Sequence, residues 1–411
     1  MSPPEKQFPA MDRRTLIGRA GIAALMVTAS PSLAASMVNL GFSGNSGERN
    51  ITTEFPQKGP MILQRIRPPL LETPFEVFDR GALTPNDQFY VRWHWAVIPR
   101  QVDADSFRLR VHGAVNRELQ LSLKDVYSLP QFEMIAVNQC SGNSRGFFQS
   151  RVPGAQWANG AMGNARWTGV RVKDVLNRAG VKAGATQVRM AGMDRPVVPD
   201  APNFMKSIAI DHARDGEVMI AYAMNGEPLP LLNGFPLRLV VPGRFATYWI
   251  KMLNDIEVLD RPDENFWMKS AYLIPDTPNA DMKPGQAGIT MVPIEKMTPR
   301  SFITNLAPGA AISAGGPLRV RGIAFGGDTG VTKVEFSDDA GKSWRLARLA
   351  PEQGKYGFRL WDIEVPAPPR GAQMLMVRCT NSNGVVQPDR PNWNPSGFMR
   401  NVVETTPVTL S

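Results

Sequence analysis

The most informative stretch of this 411-residue chain reads Val137-Asn138-Gln139-Cys140-Ser141-Gly142-Asn143-Ser144-Arg145-Gly146. The apolar residues that lead into this stretch, Met134 to Val137, predict a short strand that ends in a polar loop. In such a loop the turn exposes the thiol of Cys140 close to Arg145, and a nearby cation favours the thiolate that binds metals or attacks electrophiles. The residues alone leave two other interpretations open, an inert core cysteine and a disulfide with Cys379 in an exported protein.

The amino-acid composition limits the chemistry that this cysteine can join. The chain has two cysteines and three histidines, which excludes a disulfide-rich scaffold, a Cys₄ zinc site and covalent c-type haem, which needs Cys-x-x-Cys-His. Redox chemistry therefore requires a bound cofactor with very few protein ligands. The net charge is +9, but the basic residues are scattered singly. This favours a solvated surface, and after it a basic pocket for an anionic ligand, over nucleic-acid binding.

The N-terminus has the three parts of an export signal. Asp12-Arg13-Arg14-Thr15-Leu16-Ile17-Gly18 precedes a mildly apolar run, Ala20 to Ala29, and small residues follow in Pro31 to Ala35. The paired arginines match the twin-arginine signal, so we predict a signal peptide over residues 1–35 and a periplasmic protein. A short amphipathic helix is the other interpretation. The apolar run is too short to span a bilayer, and we expect no stable membrane anchor.

Two regions follow the signal before the texture of the sequence changes. Residues 36–85 are rich in Pro and Gly without a strong period, and we expect a loop-like extension packed on the next domain. In residues 86–295, strands such as Phe107 to Val111 mix with short helices. Ser122 has the setting of a helix N-cap, and Val172 to Ala179 follows helical spacing up to a C-cap glycine. This irregular mixture predicts an α+β domain.

Residues 296–411 consist of short apolar runs separated by turns rich in Gly, Pro and Asp. The runs are Leu318 to Ile323, Val331 to Phe336, Phe358 to Val365 and Gln373 to Cys379. The segment Asp338 to Trp344 predicts a hairpin turn that leads into a strand carrying the tryptophan. Regular short strands of this kind predict an all-β sandwich.

Two other segments place charged residues among apolar ones. In Phe89-Tyr90-Val91-Arg92-Trp93-His94-Trp95, a strand would project Arg92 and His94 to the same face. That face suits an anion or an oxygen-rich cofactor, although a structural arginine paired with a carboxylate fits equally well. In Gly234-Phe235-Pro236-Leu237-Arg238-Leu239-Val240-Val241-Pro242-Gly243, Arg238 interrupts an apolar strand and needs a partner. The preceding segment, Ala221 to Pro230, contains an Asn-Gly turn signal.

These segments, in this order, resemble the sulfite oxidase family of molybdopterin enzymes, from about Pro85 to the C-terminus. The most specific pieces are Cys-Ser-Gly-Asn at Cys140, Phe-Tyr-Val-Arg ending at Arg92, and the two segments Ala221 to Pro230 and Gly234 to Gly243. The resemblance implies the sulfite oxidase fold. An α+β molybdopterin-binding domain over residues 86–295 would be followed by an immunoglobulin-like dimerisation domain over residues 296–411, with a homodimer as the assembly.

The same resemblance implies roles for individual residues. Cys140 would bind molybdenum beside a single molybdopterin. Arg92 and Arg145 would hold sulfite through charge-assisted hydrogen bonds, and the hydroxyl of Tyr272 would lie near the metal. The positions expected to hold the cofactor are Tyr90, Arg92, His94, Asp194, Asn233, Arg238, Trp249 and Lys251. Three residues depart from the vertebrate members: Asn233 replaces a pterin-binding histidine, Tyr248 an arginine and Trp93 an asparagine.

The activity that the resemblance implies is that of a bacterial periplasmic sulfite dehydrogenase. Sulfite would be oxidised to sulfate by oxygen-atom transfer, and the electrons would pass one at a time to an external c-type cytochrome. We expect no haem in this chain, because it lacks Cys-x-x-Cys-His and has too few histidines for a cytochrome b₅ module. The alternatives are a molybdopterin-dependent methionine sulfoxide reductase, a class that generally lacks the second β domain, and a cofactor-free binding protein.

Overall fold

The computed structural model describes residues 36–44, 47–313, 315–366, 368 and 370–411. The predicted signal peptide, residues 1–35, lies outside the described residues. Within the described part, no helix is long and apolar enough to cross a membrane.

Strands dominate the structure, and most of them are short. In chain order they are β1 Met37–Asn39, β2 Glu48–Thr52, β3 Met61–Arg65, β4 Leu70–Glu72, β5 Val91–Arg92, β6 Leu109–Gly113, β7 Leu119–Leu121, β8 Gln131–Gln139, β9 Met162–Arg171, β10 Gln187–Gly192, β11 Met205–Ala209, β12 Met219–Met224, β13 Glu227–Pro228, β14 Arg238–Val240, β15 Leu253–Leu259, β16 Leu273–Pro275, β17 Met291–Pro293, β18 Arg300–Ile303, β19 Ala310–Ile312, β20 Leu318–Phe325, β21 Val331–Ser337, β22 Arg345–Leu346, β23 Arg348–Leu349, β24 Arg359–Val365, β25 Gly371–Asn381 and β26 Glu404–Leu410.

The helices are fewer and shorter than the strands. The α-helices are α1 Leu123–Tyr127, α2 Val172–Ala179, α3 Ile210–Arg214 and α4 Phe266–Lys269. Short 3₁₀ helices cover Phe75–Arg80, Asn86–Gln88, Arg145–Phe147, Leu231–Asn233, Ala246–Tyr248 and Pro278–Ala280.

The first domain is built on two sheets with α-helices beside them. One sheet has the order β11-β10-β15-β6-β7, in which only β15 and β6 run parallel. The other has the order β13-β12-β9-β8, and β14 also pairs with β12. Buried side chains from both sheets, such as Val111, Trp167 and Ile220, share one core. The α+β architecture predicted from the sequence is confirmed.

The two predicted helices form where their capping residues indicated. Ser122 accepts a hydrogen bond from the backbone N–H of Asp125, whose side chain accepts one from the Ser122 N–H, so α1 begins with a capping box. Helix α2 ends at Gly180, where φ is +72°. This conformation is costly for residues with a Cβ, which is why the sequence has a glycine there.

The extension is more ordered than the sequence predicted. Strands β1 to β4 form, together with β5, a five-stranded antiparallel sheet in chain order. The loop-like interpretation was wrong because strands of three to five residues are too short to show a period. A register shift between Leu63 and Arg65 also breaks the alternation. The predicted strand over Phe89 to Trp95 is correspondingly shorter, since only Val91–Arg92 pairs with β4.

The C-terminal part is the predicted β-sandwich. One sheet has the order β18-β20-β24-β23 and the other β19-β26-β25-β21-β22. Their inner faces share a core that includes Val320, Trp361 and Leu375. Trp344 lies one residue before β22 rather than inside it. Cys379 is buried in this core, and both cysteines are free thiols. The disulfide interpretation was therefore wrong, because the two residues belong to different packed regions.

Strand β8, which leads to Cys140, also contacts the sandwich. The backbone N–H of Val137 donates to the carbonyl of Tyr356 at 2.8 Å. Val137 also packs in an apolar cluster with Phe78, Phe302 and Phe358. The cysteine loop therefore begins from a strand that is fixed by both halves of the molecule.

Candidate active site

The loop after β8 is tightly hydrogen-bonded around Cys140. The Cys140 N–H donates to the carbonyl of Ala161 at 2.9 Å, and the Asn143 N–H donates to the Cys140 carbonyl at 3.0 Å. The Asn143 side-chain oxygen accepts from the Ala161 N–H at 2.9 Å. Contrary to the sequence prediction, the loop does not expose the thiol to bulk solvent, because Cys140 is only 8% exposed. It opens instead onto internal cavities.

Two adjoining cavities meet at Cys140. The first, of about 470 Å³, is lined by Tyr90, Arg92, His94, Asn138, Cys140, Ser141, Phe204, Asn233, Arg238, Ala246, Thr247, Trp249, Lys251 and Tyr272. The second, of about 490 Å³, is lined by Arg65, Pro68, Leu70, Arg92, Trp93, His94, Cys140, Arg145, Gly154, Ala155, Trp157, Tyr272 and Phe398. Four residues border both: Arg92, His94, Cys140 and Tyr272. A group bound at the thiol is thus accessible from two sides.

The first cavity has a buried cationic wall. The guanidinium of Arg238 lies 4.9 Å from the ring centre of Trp167 and donates to the carbonyl of Asn233 at 3.0 Å. Burial lowers the pKa of Arg238 to about 10. The ammonium of Lys251 lies 4.5 Å from the ring centre of Trp93, and burial, with Arg238 adding to it, lowers the pKa of Lys251 to about 7. These costs of burying positive charge are offset when an anion binds between them.

Asp194 lines neither cavity. Burial raises the pKa of this carboxyl, and the positive charge of Lys251 acts in the opposite direction. Asp194 therefore lies next to the cationic wall and acts electrostatically on Lys251.

Asn233 is supported by a lysine from the extension. The ammonium of Lys58 donates to the carbonyls of Asn86 and Phe89, at 2.8 and 2.9 Å, and to the side-chain oxygen of Asn233 at 2.5 Å. The Asn233 amide nitrogen donates to the Tyr90 carbonyl at 3.2 Å. Burial lowers the pKa of Lys58 to about 7. Where vertebrate relatives were expected to have a histidine, this chain has an asparagine fixed by a buried lysine.

His94 and Tyr272 form a hydrogen-bonded pair at the border of the two cavities. The His94 Nε2 and the Tyr272 hydroxyl are hydrogen-bonded, and His94 stacks on Phe204. Burial, reinforced by Arg92, holds the pKa of His94 well below its usual range, so the imidazole is neutral. Burial raises the pKa of Tyr272, with Arg92 acting against it. The Tyr272 ring stacks on Phe398 from the sandwich, with ring centres 5.2 Å apart.

Arg145 lies in a cradle of glycines and carbonyl groups in the second cavity. Its Nε donates to the Gly397 carbonyl at 3.0 Å, and its terminal nitrogens donate to the carbonyls of Ala155 and Ser396, each at 3.4 Å. A Cβ added at Gly142 or Gly154 would lie 2.6 Å from a guanidinium atom, and one at Gly397 would lie 2.7 Å from the Nε. Burial lowers the pKa of Arg145, with Cys140 acting against it.

Several buried polar atoms in this region have no hydrogen-bond partner among the described residues. Those that line the first cavity include Arg92 Nη1, Asn138 Nδ2, Ser141 Oγ and Arg238 Nε. Unpaired buried donors are costly, so a ligand rich in oxygen and nitrogen acceptors fits this cavity. Within the described part of the chain, no group of three His, Cys, Asp or Glu side chains could hold a metal ion. A metal at Cys140 would need the rest of its ligands from a cofactor.

The structure brings most of the predicted site residues together. Nine line the first cavity, namely Tyr90, Arg92, His94, Cys140, Asn233, Arg238, Trp249, Lys251 and Tyr272. Arg145 lines only the second cavity, and Asp194 lines neither. Sequence reasoning missed Asn138 and Ser141, although they flank Cys140. It also missed Lys58, Arg65 and Phe398, which lie far from the motifs in the chain and gave no signal.

Comparison with known proteins agrees with this geometry. Residues 95–267 match the family described as "Oxidoreductase molybdopterin binding domain", and residues 291–409 match the "Mo-co oxidoreductase dimerisation domain". The sulfite oxidase of Gallus gallus is 33% identical over 347 residues, which are 80% of this chain and 73% of that protein. The chain belongs to the sulfite oxidase family. The family and fold predicted from the sequence are thereby confirmed.

Two other relatives set the extent of the similarity. The mitochondrial sulfite oxidase of Homo sapiens is 32% identical over 361 residues, covering 84% of this chain. The chain spans just under two thirds of that relative, 65% of its length. Among solved structures, the sulfane dehydrogenase SoxCD of Paracoccus pantotrophus has a TM-score of 0.68 at 25% identity, covering 82% of this chain and 83% of that one. The structural similarity between this chain and SoxCD therefore extends through both domains.

Proposed function

We propose that this chain is the catalytic subunit of a sulfite dehydrogenase, which oxidises sulfite to sulfate at a molybdenum–molybdopterin centre. The observation that carries the proposal is the meeting of two cavities at a single thiol. One has a buried cationic wall and unpaired donors, and the other contains a constrained arginine. A cofactor and a small anion can therefore approach Cys140 from different sides.

The residues of the first cavity fit a molybdopterin. The thiolate of Cys140 would bind the metal, while Arg238 and Lys251 would face the negative charge of the pterin phosphate. Arg92, Asn138 and Ser141 offer the donors that lack partners among the described residues. When bound, the cofactor supplies the two-electron redox change and the transferred oxygen, and the protein supplies position and electrostatics.

The arginines of the second cavity would hold sulfite. Three of the five N–H donors of Arg145 are used by carbonyl groups, which fixes the guanidinium and leaves two donors without a partner among the described residues. Arg92 borders both cavities and has an unpaired Nη1 among the described residues. The fixed positive charges of Arg92 and Arg145 offset the repulsion between the sulfite dianion and an oxygen-rich centre. They act when sulfite binds and also as its charge redistributes on the way to sulfate.

The His94–Tyr272 pair would manage protons at the same place. Oxidation of one sulfite consumes one water and releases two protons. Both protons must leave the site in each turnover. A neutral imidazole hydrogen-bonded to the Tyr272 hydroxyl can accept a proton at a ring nitrogen.

We further propose a periplasmic homodimer that delivers electrons to an external c-type cytochrome. The twin-arginine pattern supports export, and the match to a dimerisation domain over residues 291–409 supports self-association. The small number of cysteines and histidines supports an acceptor outside this chain.

The test is sulfite-dependent reduction of ferricyanide and of cytochrome c by molybdenum-replete protein. We expect both acceptors to be reduced with sulfite, and methionine sulfoxide to remain unreduced when an artificial electron donor is supplied. A second candidate, oxidation of sulfane sulfur, is favoured by the structural likeness to SoxCD. A protein that oxidises a cysteine persulfide and not sulfite would contradict our proposal and establish that candidate.

A further inference from the structure

A continuous series of aromatic rings connects the candidate site with the protein surface. The ring of Trp267 has its centre 6.3 Å from that of Tyr272 and 5.3 Å from that of His94. On its other side, Trp267 contacts Phe266 and Trp95, with ring centres 5.1 and 5.8 Å away. Tyr272 and His94 border both cavities, whereas Trp95, Phe266 and Trp267 line neither. The series therefore begins at the site and leads away from it.

The outer end of this series lies in an exposed apolar surface. Phe266 is 47% exposed, and three valines nearby are similarly open, Val97 at 43%, Val197 at 61% and Val198 at 56%. We call Trp95, Val97, Val197, Val198, Phe266 and Trp267 the aromatic patch. It contains four of the eleven large apolar side chains that are exposed in the described part of the chain. Grouped apolar exposure of this kind marks interaction sites.

Hydrogen bonds hold the members of the patch in place. The backbone of Val97 pairs with that of Arg195, which begins the loop containing Val197 and Val198. Two indole N–H groups donate to carbonyls of the same loop. Trp95 donates to Pro202 at 3.2 Å, and Trp267 donates to Asn203 at 2.8 Å. The patch is thus a fixed feature of the fold, and its exposed rings need no rearrangement before a partner binds.

Buried polar groups beneath the patch fix Trp267. The side-chain oxygen of Asn265 accepts from the Trp267 N–H at 2.8 Å, which caps α4. The ammonium of Lys206 donates to the Trp267 carbonyl at 2.7 Å, and Lys206 is almost fully buried. The ring that joins the site to the surface is therefore held from below as well as by the loop.

The charges around the patch favour a protein partner over a polyanion. Exposed residues of both signs surround it, with Arg195 and Asp200 on the loop and Glu264 paired to Lys269 beside α4. Nucleic acid or an anionic membrane would need a uniformly basic surface. The match to a dimerisation domain covers residues 291–409, which include no member of the patch, so that match gives no support for self-association through the patch.

We propose that the aromatic patch docks a one-electron acceptor protein of the c-type cytochrome class through Phe266 and its valines, and that electrons leave the site through Tyr272 and Trp267. This inference rests on the proposed function. One sulfite and one water give one sulfate, two protons and two electrons, so two cytochrome molecules are each reduced by one electron. A partner with an exposed cofactor edge would contact the ring of Phe266. That ring packs against Trp267, which in turn contacts Tyr272.

The experiment compares binding with turnover in the molybdenum-replete full-length protein. The test variant combines Phe266→Ala with Val198→Asp. The matched control is Leu346→Ala, which truncates an exposed apolar residue on the sandwich, 69% exposed. The dissociation constant for cytochrome c is measured by surface plasmon resonance, and sulfite-dependent reduction is measured with cytochrome c and with ferricyanide. We expect the test variant to weaken cytochrome c binding about tenfold. Its rate with cytochrome c should fall in parallel, whereas ferricyanide reduction stays within about twofold because a small ion does not need the patch.

The outcomes separate this inference from the proposed function. Unchanged cytochrome c affinity in the test variant, or no measurable binding to the unaltered protein, overturns the docking site. Equal loss with both acceptors overturns it too, since the substitutions would then be damaging the site itself. A shift of the test variant from dimer to monomer in light scattering would reassign the patch to self-association. Absence of sulfite-dependent reduction with any acceptor would sink the proposed function, and the binding measurement would still decide the patch.

Discussion

The two cysteines of this chain are nearly equally buried, yet their surroundings differ in every other respect. Cys140 is 8% exposed and Cys379 is fully buried. Cys140 follows a strand end and opens onto two cavities that contain arginines and unpaired donors. Cys379 lies within β25 in the sandwich core, among apolar side chains, and its thiol donates to the Phe325 carbonyl at 3.8 Å. Burial raises the pKa of the Cys379 thiol far above its usual range.

This difference shows that exposure does not identify the reactive thiol. A cation close to a cysteine and a space in which a ligand can sit distinguish the two regions. In the region of Cys140 both are present. Cys379 lies instead in an apolar core, and the Gln387 side-chain oxygen near it accepts from the Cys379 backbone N–H at 3.2 Å. Four sets of substitutions test this difference between the two cysteines.

The largest effect is expected for Cys140→Ser. Loss of the thiolate should reduce sulfite-dependent ferricyanide reduction by at least about 100-fold, because removal even of outer partners of a metal site costs ten- to hundredfold. X-ray absorption of the variant should show one sulfur fewer around molybdenum. The thermal midpoint should stay close to that of the unaltered protein, since serine fits the same space. Retention of activity together with an unchanged sulfur count would show that Cys140 is not the ligand.

A smaller effect is expected when the arginine cradle is disturbed by Gly397→Ala. The new Cβ would lie 2.5 Å from the Val152 Cγ2 and 2.7 Å from the Arg145 Nε, so both side chains must shift. A displacement of this size should lower kcat/KM for sulfite by about tenfold, mainly through KM. The matched control is Gly384→Ala. Gly384 has a similar positive φ of +77°, but an added Cβ there would meet nothing within 4 Å.

Equal kinetics in the two alanine variants would contradict this account, since both positions have a positive φ and only Gly397 lies against Arg145 and Val152. A loss of kcat with KM unchanged would also count against it, because the arginine would then not be acting in sulfite binding.

The comparison also shows how far sequence could predict this site. The strand ending at Gln139 and the polar loop after it could be recognised from local composition, and so could α2 with its C-cap glycine. The cavity itself could not, because Lys58 is 175 positions from Asn233 in the chain and Arg145 is 252 from Gly397. Contacts at such separations leave no periodic signal. The order of the family motifs supplied what local physics could not.

The extension was misread for a related physical reason. Its strands are short and are stabilised by pairing with each other and with β5 rather than by an alternating apolar face of their own. Glu72 shows how it is attached, since its carboxylate accepts from the backbone N–H of Gly160 at 2.8 Å. An acidic residue in an apolar segment signals a partner, but nothing in the sequence indicates which one.

A pH dependence is expected from Lys251 in the first cavity. Burial lowers the pKa of Lys251 to about 7 in the protein without cofactor. A bound phosphate favours the charged ammonium and raises this pKa, so cofactor binding takes up a proton above about pH 7. Cofactor affinity should therefore be highest below that pH and fall as pH rises. We expect pterin retained after dialysis to fall several-fold between about pH 6 and 9.

Lys251→Met should weaken retention at low pH and flatten this dependence. The control is Lys342→Met, which removes an exposed lysine of the sandwich and should leave the profile unchanged. A steep profile that persists in Lys251→Met would assign the titration to another group of the cavity.

The smallest effect on activity is expected for Cys379→Ala, which tests the other half of the comparison. The substitution removes one buried sulfur from a core that includes Val334, Val377 and Phe325. The free energy of unfolding should fall by about 1–2 kcal/mol because a small cavity is left behind, and chemical denaturation would measure it. Molybdenum content and kcat/KM for sulfite should not change. Loss of metal in this variant would contradict this expectation. It would mean that packing in the sandwich core determines the position of the Cys140 loop, through the hydrogen bond between Val137 and Tyr356.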